Sequence, residues 1–71
     1  MSKKLYTVQY FQKDTNIWNS FLSATGISKI AAKYFCRGLK QYYPCPDLRI
    51  VDYFTNEIIK EFKGNSEIRI Q

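Results

Sequence analysis

The apolar residues of this chain change their spacing along its length, and the changes divide it into elements. Between Leu5 and Phe11, alternate apolar and polar positions predict a β-strand. Residues 13–16 are polar and typical of a hairpin turn. The stretch from Ile17 to Leu22 follows as a second strand, in which alternation alone leaves the buried face open because Ile17 competes with Trp18.

The next segment has the spacing of an amphipathic helix. The Thr25-Gly26-Ile27-Ser28 stretch breaks the second strand and offers Thr25 or Ser28 as the N-cap. Apolar residues then recur three and four apart, at Ile27, Ile30, Ala31, Tyr34, Phe35, Gly38, Leu39 and Tyr42. Pro44 and Pro46 end the helix because proline cannot continue it.

This spacing predicts which side of the helix contacts the sheet. The residues expected to pack are Ile30, Tyr34, Phe35 and Leu39. Gly38 falls on the same side, which indicates a close approach to the sheet, whereas Cys36 falls on the outer side.

Two more strands follow the helix, at 48–54 and 57–62, joined by a Thr55-Asn56 turn. Residues 65–71 form either a short edge strand or a loose tail. The element order is therefore ββαββ, a single small α+β domain spanning residues 1–71, with one helix on an antiparallel sheet. Apolar residues occur on both faces of most strands, so either the sheet curls around a fuller core or its uncovered face keeps an apolar patch.

Composition limits the class of protein. The 71 residues include 45% hydrophobic and 24% charged residues, as in a globular domain. Neither a signal peptide nor a membrane-spanning run is evident, so we expect a cytoplasmic protein without membrane association. Cys36 and Cys45 are then most simply free thiols, although a disulfide between them is the alternative.

Catalytic and cofactor-binding motifs are missing from the sequence. It contains no histidine, so a Ser-His-Asp or Cys-His arrangement is excluded, and its six acidic residues follow no metal-binding or glycosidase pattern. The three glycines are isolated and form no phosphate-binding loop. Two cysteines are too few for an ordinary zinc site. We expect a non-enzymatic protein with neither cofactor nor metal.

The charge pattern is the main functional signal. The net charge is +5, and every charged residue from Thr15 to Cys45 is basic. These residues are Lys29, Lys33, Arg37 and Lys40. At 100° per residue they fall within about 80° of the helix circumference. Such a basic stripe could bind a phosphate backbone or an acidic protein site. The alternative is a solvated surface in a lysine-rich chain from an AT-rich genome.

Three segments together resemble small accessory proteins of bacteriophages and mobile elements. They are the strands from Tyr6 through Trp18, the helix from Ser28 to Tyr43-Pro44, and the Leu48-Arg49-Ile50-Val51 strand with its following hairpin. The resemblance implies an accessory role, such as inhibition of a host polymerase, nuclease or defence complex. It carries no catalytic residues.

These observations favour a phage-type inhibitor or modulator that binds a host protein with an acidic site. The basic stripe would steer association, and Trp18 and Tyr53 are the candidate aromatic anchors. The alternative is a nucleic-acid-binding protein that uses the same four basic residues. A homodimer through the uncovered sheet face is a further expectation.

Overall fold

The computed structural model describes residues 4–42 and 44–64 and has one helix on a four-stranded antiparallel sheet. The elements are β1 (Tyr6–Gln12), β2 (Ile17–Ile27), α1 (Lys29–Lys40), β3 (Leu48–Asp52) and β4 (Ile58–Phe62). The strand order is β2-β1-β3-β4, so β2 and β4 are the outer strands. The predicted α+β class and ββαββ order are confirmed. The predicted edge strand or tail at 65–71 lies outside the described residues.

Strand β2 is longer than predicted because it contains a bulge of several residues. Ser20 pairs with Gln9 and Thr25 pairs with Thr7, so four β2 residues, Phe21–Ala24, face the single residue Val8. Pairing with β1 resumes after the bulge, at Thr25, and β2 continues to Ile27. The prediction that Thr25-Gly26-Ile27 breaks the strand was wrong, because a bulge bends a strand without ending it.

Of the two predicted N-caps, the helix uses Ser28. Its backbone is extended, and its hydroxyl oxygen accepts a hydrogen bond from the Ala31 amide at 3.2 Å. The Thr25 hydroxyl instead donates to the Phe21 carbonyl oxygen at 2.6 Å, inside the β2 bulge. The cap therefore fixes the start of α1 directly after the strand.

The helix is rotated relative to the sequence prediction. Ala32 and Cys36 are fully buried against the sheet, whereas Ile30 and Tyr34 are 69% and 64% exposed. Small side chains let the helix backbone approach the sheet closely, and the two larger residues turn outward. Packing through Phe35 is confirmed, since its partly buried ring meets the Phe21 ring edge-on at 5.0 Å. Leu39 also packs against the core as predicted.

The same rotation overturns two further predictions. Apart from its chain neighbours and the adjacent helix backbone, no heavy atom lies within 4 Å of the position that a Gly38 Cβ would occupy, so Gly38 is not on the packed side. Cys36 lies in the core rather than on the outer side. Burial, with a smaller contribution from Cys45, raises the pKa of the Cys36 thiol to about 11. Both cysteines are buried and neither forms a disulfide.

The two faces of the sheet differ in chemistry. The helix-facing side carries the core, which is made by Tyr6, Val8, Leu48 and Ile50 with Ala24, Ala32, Cys36 and Cys45. On the opposite side the Arg49 guanidinium lies 4.2 Å from the centre of the Trp18 ring, and its Nε donates to Gln9 Oε1 at 2.7 Å. The sequence predicts either an apolar patch here or a curled sheet. The part around the partly buried Trp18 holds a polar network, while Val51 and its β4 neighbour Ile58 place apolar side chains on the same side.

Candidate functional site

The exposed flank of α1 combines the basic stripe with two apolar residues. Lys29, Lys33, Arg37 and Lys40 are all exposed. Ile30 and Tyr34 lie one helical turn apart, immediately beside the stripe and pointing away from the buried Ala32–Cys36 side. Rotation of the helix therefore moves apolar surface from the core to the basic flank. The flank can contact a ligand through both charge and apolar area.

A groove separates this flank from the outer strand β4. Helix α1 packs chiefly against β1 and β2. The helix therefore does not cover the helix-facing side of β4, which lies at the other edge of the sheet. The groove has a volume of about 420 Å³. Its lining residues are Ile30, Lys33, Tyr34 and Arg37 from α1, with Lys60 and Phe62 from β4. We call this the α1–β4 groove.

Strand pairing explains why Lys60 and Phe62 lie in the groove. Lys60 is opposite Ile50 and Phe62 is opposite Leu48, so both share the helix-facing side with those core residues. Glu61, between them, is opposite Arg49 and lies on the other side of the sheet. Alternation along β4 therefore gives the groove a lysine and a phenylalanine and keeps the acidic residue out of it.

The Phe62 ring connects the helix to the strand. The Lys40 ammonium lies 5.6 Å from its ring centre, and the Lys60 ammonium lies 5.3 Å from the same point. Both distances are within the range of cation–π attraction. The ring thus gathers one ammonium group from α1 and one from β4 at the end of the groove, which concentrates positive charge there.

Among the described residues, those that line the groove include no acid to offset this charge. The sequence has no Asp or Glu between Asp14 and Asp47, and none of the six groove-lining residues is acidic. A concave surface lined by one sign of charge attracts oppositely charged ligands more strongly than a flat one does. The groove therefore suits an anionic ligand that also has apolar surface. Among residues 4–42 and 44–64, no group of three His, Cys, Asp or Glu side chains is placed to hold a metal ion.

The structure divides the residues that the sequence singled out. Lys33 and Arg37 line the α1–β4 groove, Lys40 reaches Phe62 at its end, and Lys29 lies on the same stripe at the start of the helix. Trp18 is outside this site, because its ring packs against Arg49 and Phe11 on the other face of the sheet. Tyr53 is also outside it, in the β3–β4 turn.

The β3–β4 turn holds Tyr53 in a defined position. The Tyr53 ring makes an edge contact with the Phe54 ring at 5.1 Å, and it lies over Gly26, 3.6 Å from where a Cβ would stand. Asn56 closes the turn with a φ of 63°, a conformation that asparagine tolerates well. The Asp52 carboxylate accepts hydrogen bonds from the amides of Phe54 at 2.8 Å and Thr55 at 2.9 Å.

These two hydrogen bonds predict an acid-sensitive turn. Donation from the amides of Thr55 and Phe54 lowers the pKa of Asp52 below its usual value of 3.8. The carboxylate therefore stabilises the fold above the unfolded-state pKa, and this contribution is lost as pH falls through the lower folded-state pKa. As the pH falls below 3.8, the Phe54 and Thr55 amide signals should shift together, and Asp52→Asn should abolish the transition. An unchanged transition in Asp52→Asn, or its loss in the control Asp14→Asn, would assign it to another group.

Sequence reasoning missed four of the six groove residues. Ile30 and Tyr34 were assigned to the core, and Lys60 and Phe62 were not singled out. The sequence does contain one usable signal for the last two, the alternation of Lys60, Glu61 and Phe62 along a strand. That signal identifies a shared face, but it does not indicate that the face adjoins the basic stripe.

No protein-family model matches the chain, and the searches of curated proteins and of solved structures also return no match. In the part of the chain that the structure describes, α1 is too short and too polar to cross a bilayer, and it is the one helix present there.

Proposed function

We propose that this protein is a non-enzymatic interaction protein that binds an acidic segment of another protein in the α1–β4 groove. The observation that supports this most directly is the groove's composition. Three cations, Lys33, Arg37 and Lys60, surround apolar surface from Ile30, Tyr34 and Phe62, with no acidic residue among them. Arginine and tyrosine are enriched among residues that dominate protein–protein binding energy.

The groove favours a protein ligand over single-stranded nucleic acid because of its aromatic residues. Non-specific binding of a single strand combines phosphate contacts with stacking of bases on free aromatic faces. Here the Phe62 ring already interacts with the ammonium groups of Lys40 and Lys60. Ile30 is aliphatic, so the exposed Tyr34 ring is the one groove residue left with a free stacking face. An acidic segment with apolar side chains would use both kinds of surface that the groove provides.

This proposal agrees with the accessory role that the phage resemblance implies. A small basic protein that occupies an acidic site on a host enzyme or defence complex would modulate it without chemistry of its own. Lysine and arginine at the rim would mainly raise the association rate, while Tyr34 and Ile30 would contribute to slow dissociation. We propose both that the partner is a host protein and that its binding site is acidic.

Site-specific photocrosslinking from position 34 tests the proposal. Tyr34 is well exposed, so a photoreactive phenylalanine analogue there should not disturb the fold. In a bacterial lysate, irradiation should link the full-length protein to a discrete protein through an acidic segment. The double variant Lys33→Glu/Arg37→Glu should reduce the adduct by about tenfold or more.

The matched control is Lys13→Glu/Lys63→Glu, which makes the same change in net charge, from +5 to +1, outside the groove. It should retain most of the adduct. Equal losses in both double variants would mean that net charge, not the groove, drives binding. A nuclease-sensitive adduct, with a salt slope of about 3 to 4 for four phosphate contacts, would replace the proposal with the nucleic-acid alternative.

A further inference from the structure

The α1–β4 groove also indicates the conformation of the segment that fills it. Neighbouring strands lie about 4.8 Å apart, so two strand spacings are roughly 10 Å. Packed helices lie about 8–10 Å apart. Because α1 packs chiefly on β1 and β2, a second helix beside it would stand over the β3–β4 half of the sheet, next to Lys60 and Phe62. Leu48 and Ile50 of β3 are already covered by the core, so among the described residues such a helix would contact the protein at the α1–β4 groove.

The exposed flank of α1 has the spacing that helix packing uses. Ile30, Tyr34 and Arg37 all line the groove and are separated by four and three residues. Such i, i+4, i+7 positions form one ridge along a helix, and a neighbouring helix packs against ridges of this kind. The basic residues Lys33 and Lys40 lie beside this ridge, where they would meet charges flanking the apolar stripe of an incoming helix.

An incoming β-strand suits the groove less well. Strand β4 is an outer strand, but it is only five residues long and its register with β3 shifts between Ile50 and Val51. Lys60 also stands in its middle. Short length, irregular register and a lysine are the features by which natural sheets discourage strand addition at an edge.

A second copy of this chain is a poor occupant. The only helix in the described residues is α1, whose charged residues are all basic, and inserting it into the groove of another copy would bring like charges together. An occupant with aspartate or glutamate beside its apolar stripe would have the complementary charge. The homodimer expected from the sequence therefore does not use this groove.

We propose that the α1–β4 groove receives an amphipathic helix with acidic flanks, supplied by the partner protein, which packs alongside α1 and over β4. This inference rests on the proposed function, since it specifies the conformation of the acidic segment. Apolar residues of the incoming helix contact Ile30, Tyr34 and Phe62. Its carboxylates face Lys33, Arg37 and Lys60.

Three synthetic peptides of about 15–20 residues test the inference. The first has leucines at i, i+3, i+4 and i+7 flanked by glutamates, the second has the same composition with the apolar stripe dispersed, and the third is the first interrupted by a central proline. Affinity for the full chain is measured by fluorescence anisotropy, helix formation by circular dichroism, and location by amide chemical-shift changes. The first peptide should bind about tenfold more tightly than the others, gain helicity, and shift Tyr34, Lys60 and Phe62.

Variants separate the helix inference from the proposed function. Ile30→Ala and Tyr34→Ala should each weaken the first peptide several-fold, and Lys13→Glu/Lys63→Glu should leave its binding nearly unchanged. Equal binding of all three peptides in the groove, lost in Lys33→Glu/Arg37→Glu, would overturn the helix inference and retain the proposed function. If no acidic peptide shifts the groove signals, both fail. Stronger shifts with a single-stranded oligonucleotide of equal charge would also overturn both.

Discussion

Replacing Ala32 with glutamate should unfold the domain, whereas replacing Ile30 with glutamate should leave it folded. Ala32 is fully buried between α1 and the sheet, so the longer side chain would both overfill the core and bury a charge. These costs amount to several kcal/mol. A domain of this size is stable by only about 4–10 kcal/mol. Ile30 is mostly exposed, and a substitution there should change stability by about 0.5 kcal/mol or less.

Urea denaturation followed by far-ultraviolet circular dichroism measures both variants. The comparison is sensitive to helix rotation, because the apolar spacing of the sequence predicts Ile30 rather than Ala32 as a packing residue. A folded Ala32→Glu protein together with an unfolded Ile30→Glu protein would show that the sequence-based orientation is right. Two unfolded proteins would show that the helix flank beside the α1–β4 groove is buried in the folded protein.

Replacing Gly64 with alanine should destabilise the fold by about 1–3 kcal/mol. A Cβ on Gly64 would stand 2.6 Å from the Pro46 carbonyl carbon and 2.7 Å from the Asp47 nitrogen, which are backbone atoms that cannot easily move. The Gly64 amide also donates to Asp47 Oδ1 at 2.6 Å. These contacts attach the end of β4 to the segment before β3, so the substitution should also loosen Lys60 and Phe62 in the groove.

Gly38→Ala is the matched control for this glycine. It adds the same methyl group in open space on a helix, where alanine is favoured over glycine by about 0.5–1 kcal/mol. Its unfolding midpoint in urea should therefore rise, while that of Gly64→Ala falls. A Gly64→Ala midpoint equal to that of the unmodified protein would show that the chain end shifts to accommodate the methyl group at little cost.

Local signals in the sequence were sufficient to predict the elements and their order. Alternation identified four strands, and the two candidate N-caps, Thr25 and Ser28, together with the two prolines bracketed the helix. The limits of β2 could not be predicted, because the bulge at Phe21–Ala24 depends on pairing between Thr25 and Thr7 across the hairpin. In the local sequence, a strand interrupted by a bulge has the same pattern as a strand that ends.

The orientation of the helix shows a limit of apolar periodicity. Ile30 and Tyr34 are the more hydrophobic or bulky candidates, but Ala32 and Cys36 are the residues that touch the sheet. Close backbone packing rewards small side chains, and periodicity counts residues without weighing their size. The basic stripe was correctly placed on an exposed side, since lysine and arginine are rarely buried. The groove itself depends on the position of β4 in the strand order, which the sequence leaves open.

The β2 bulge also bears on how this chain can vary in length. Leu22 is 96% exposed, and Phe21–Ala24 have only Val8 opposite them, so Leu22 and Ser23 are not required to maintain strand register. Residues added there would lengthen an exposed loop within β2. The pairing of Ser20 with Gln9 and of Thr25 with Thr7 already fixes its two ends. Each doubling of such a loop costs about 0.6 kcal/mol. Insertions in relatives of this protein should therefore occur at the bulge, which lies in the edge strand β2, at the other edge of the sheet from β4.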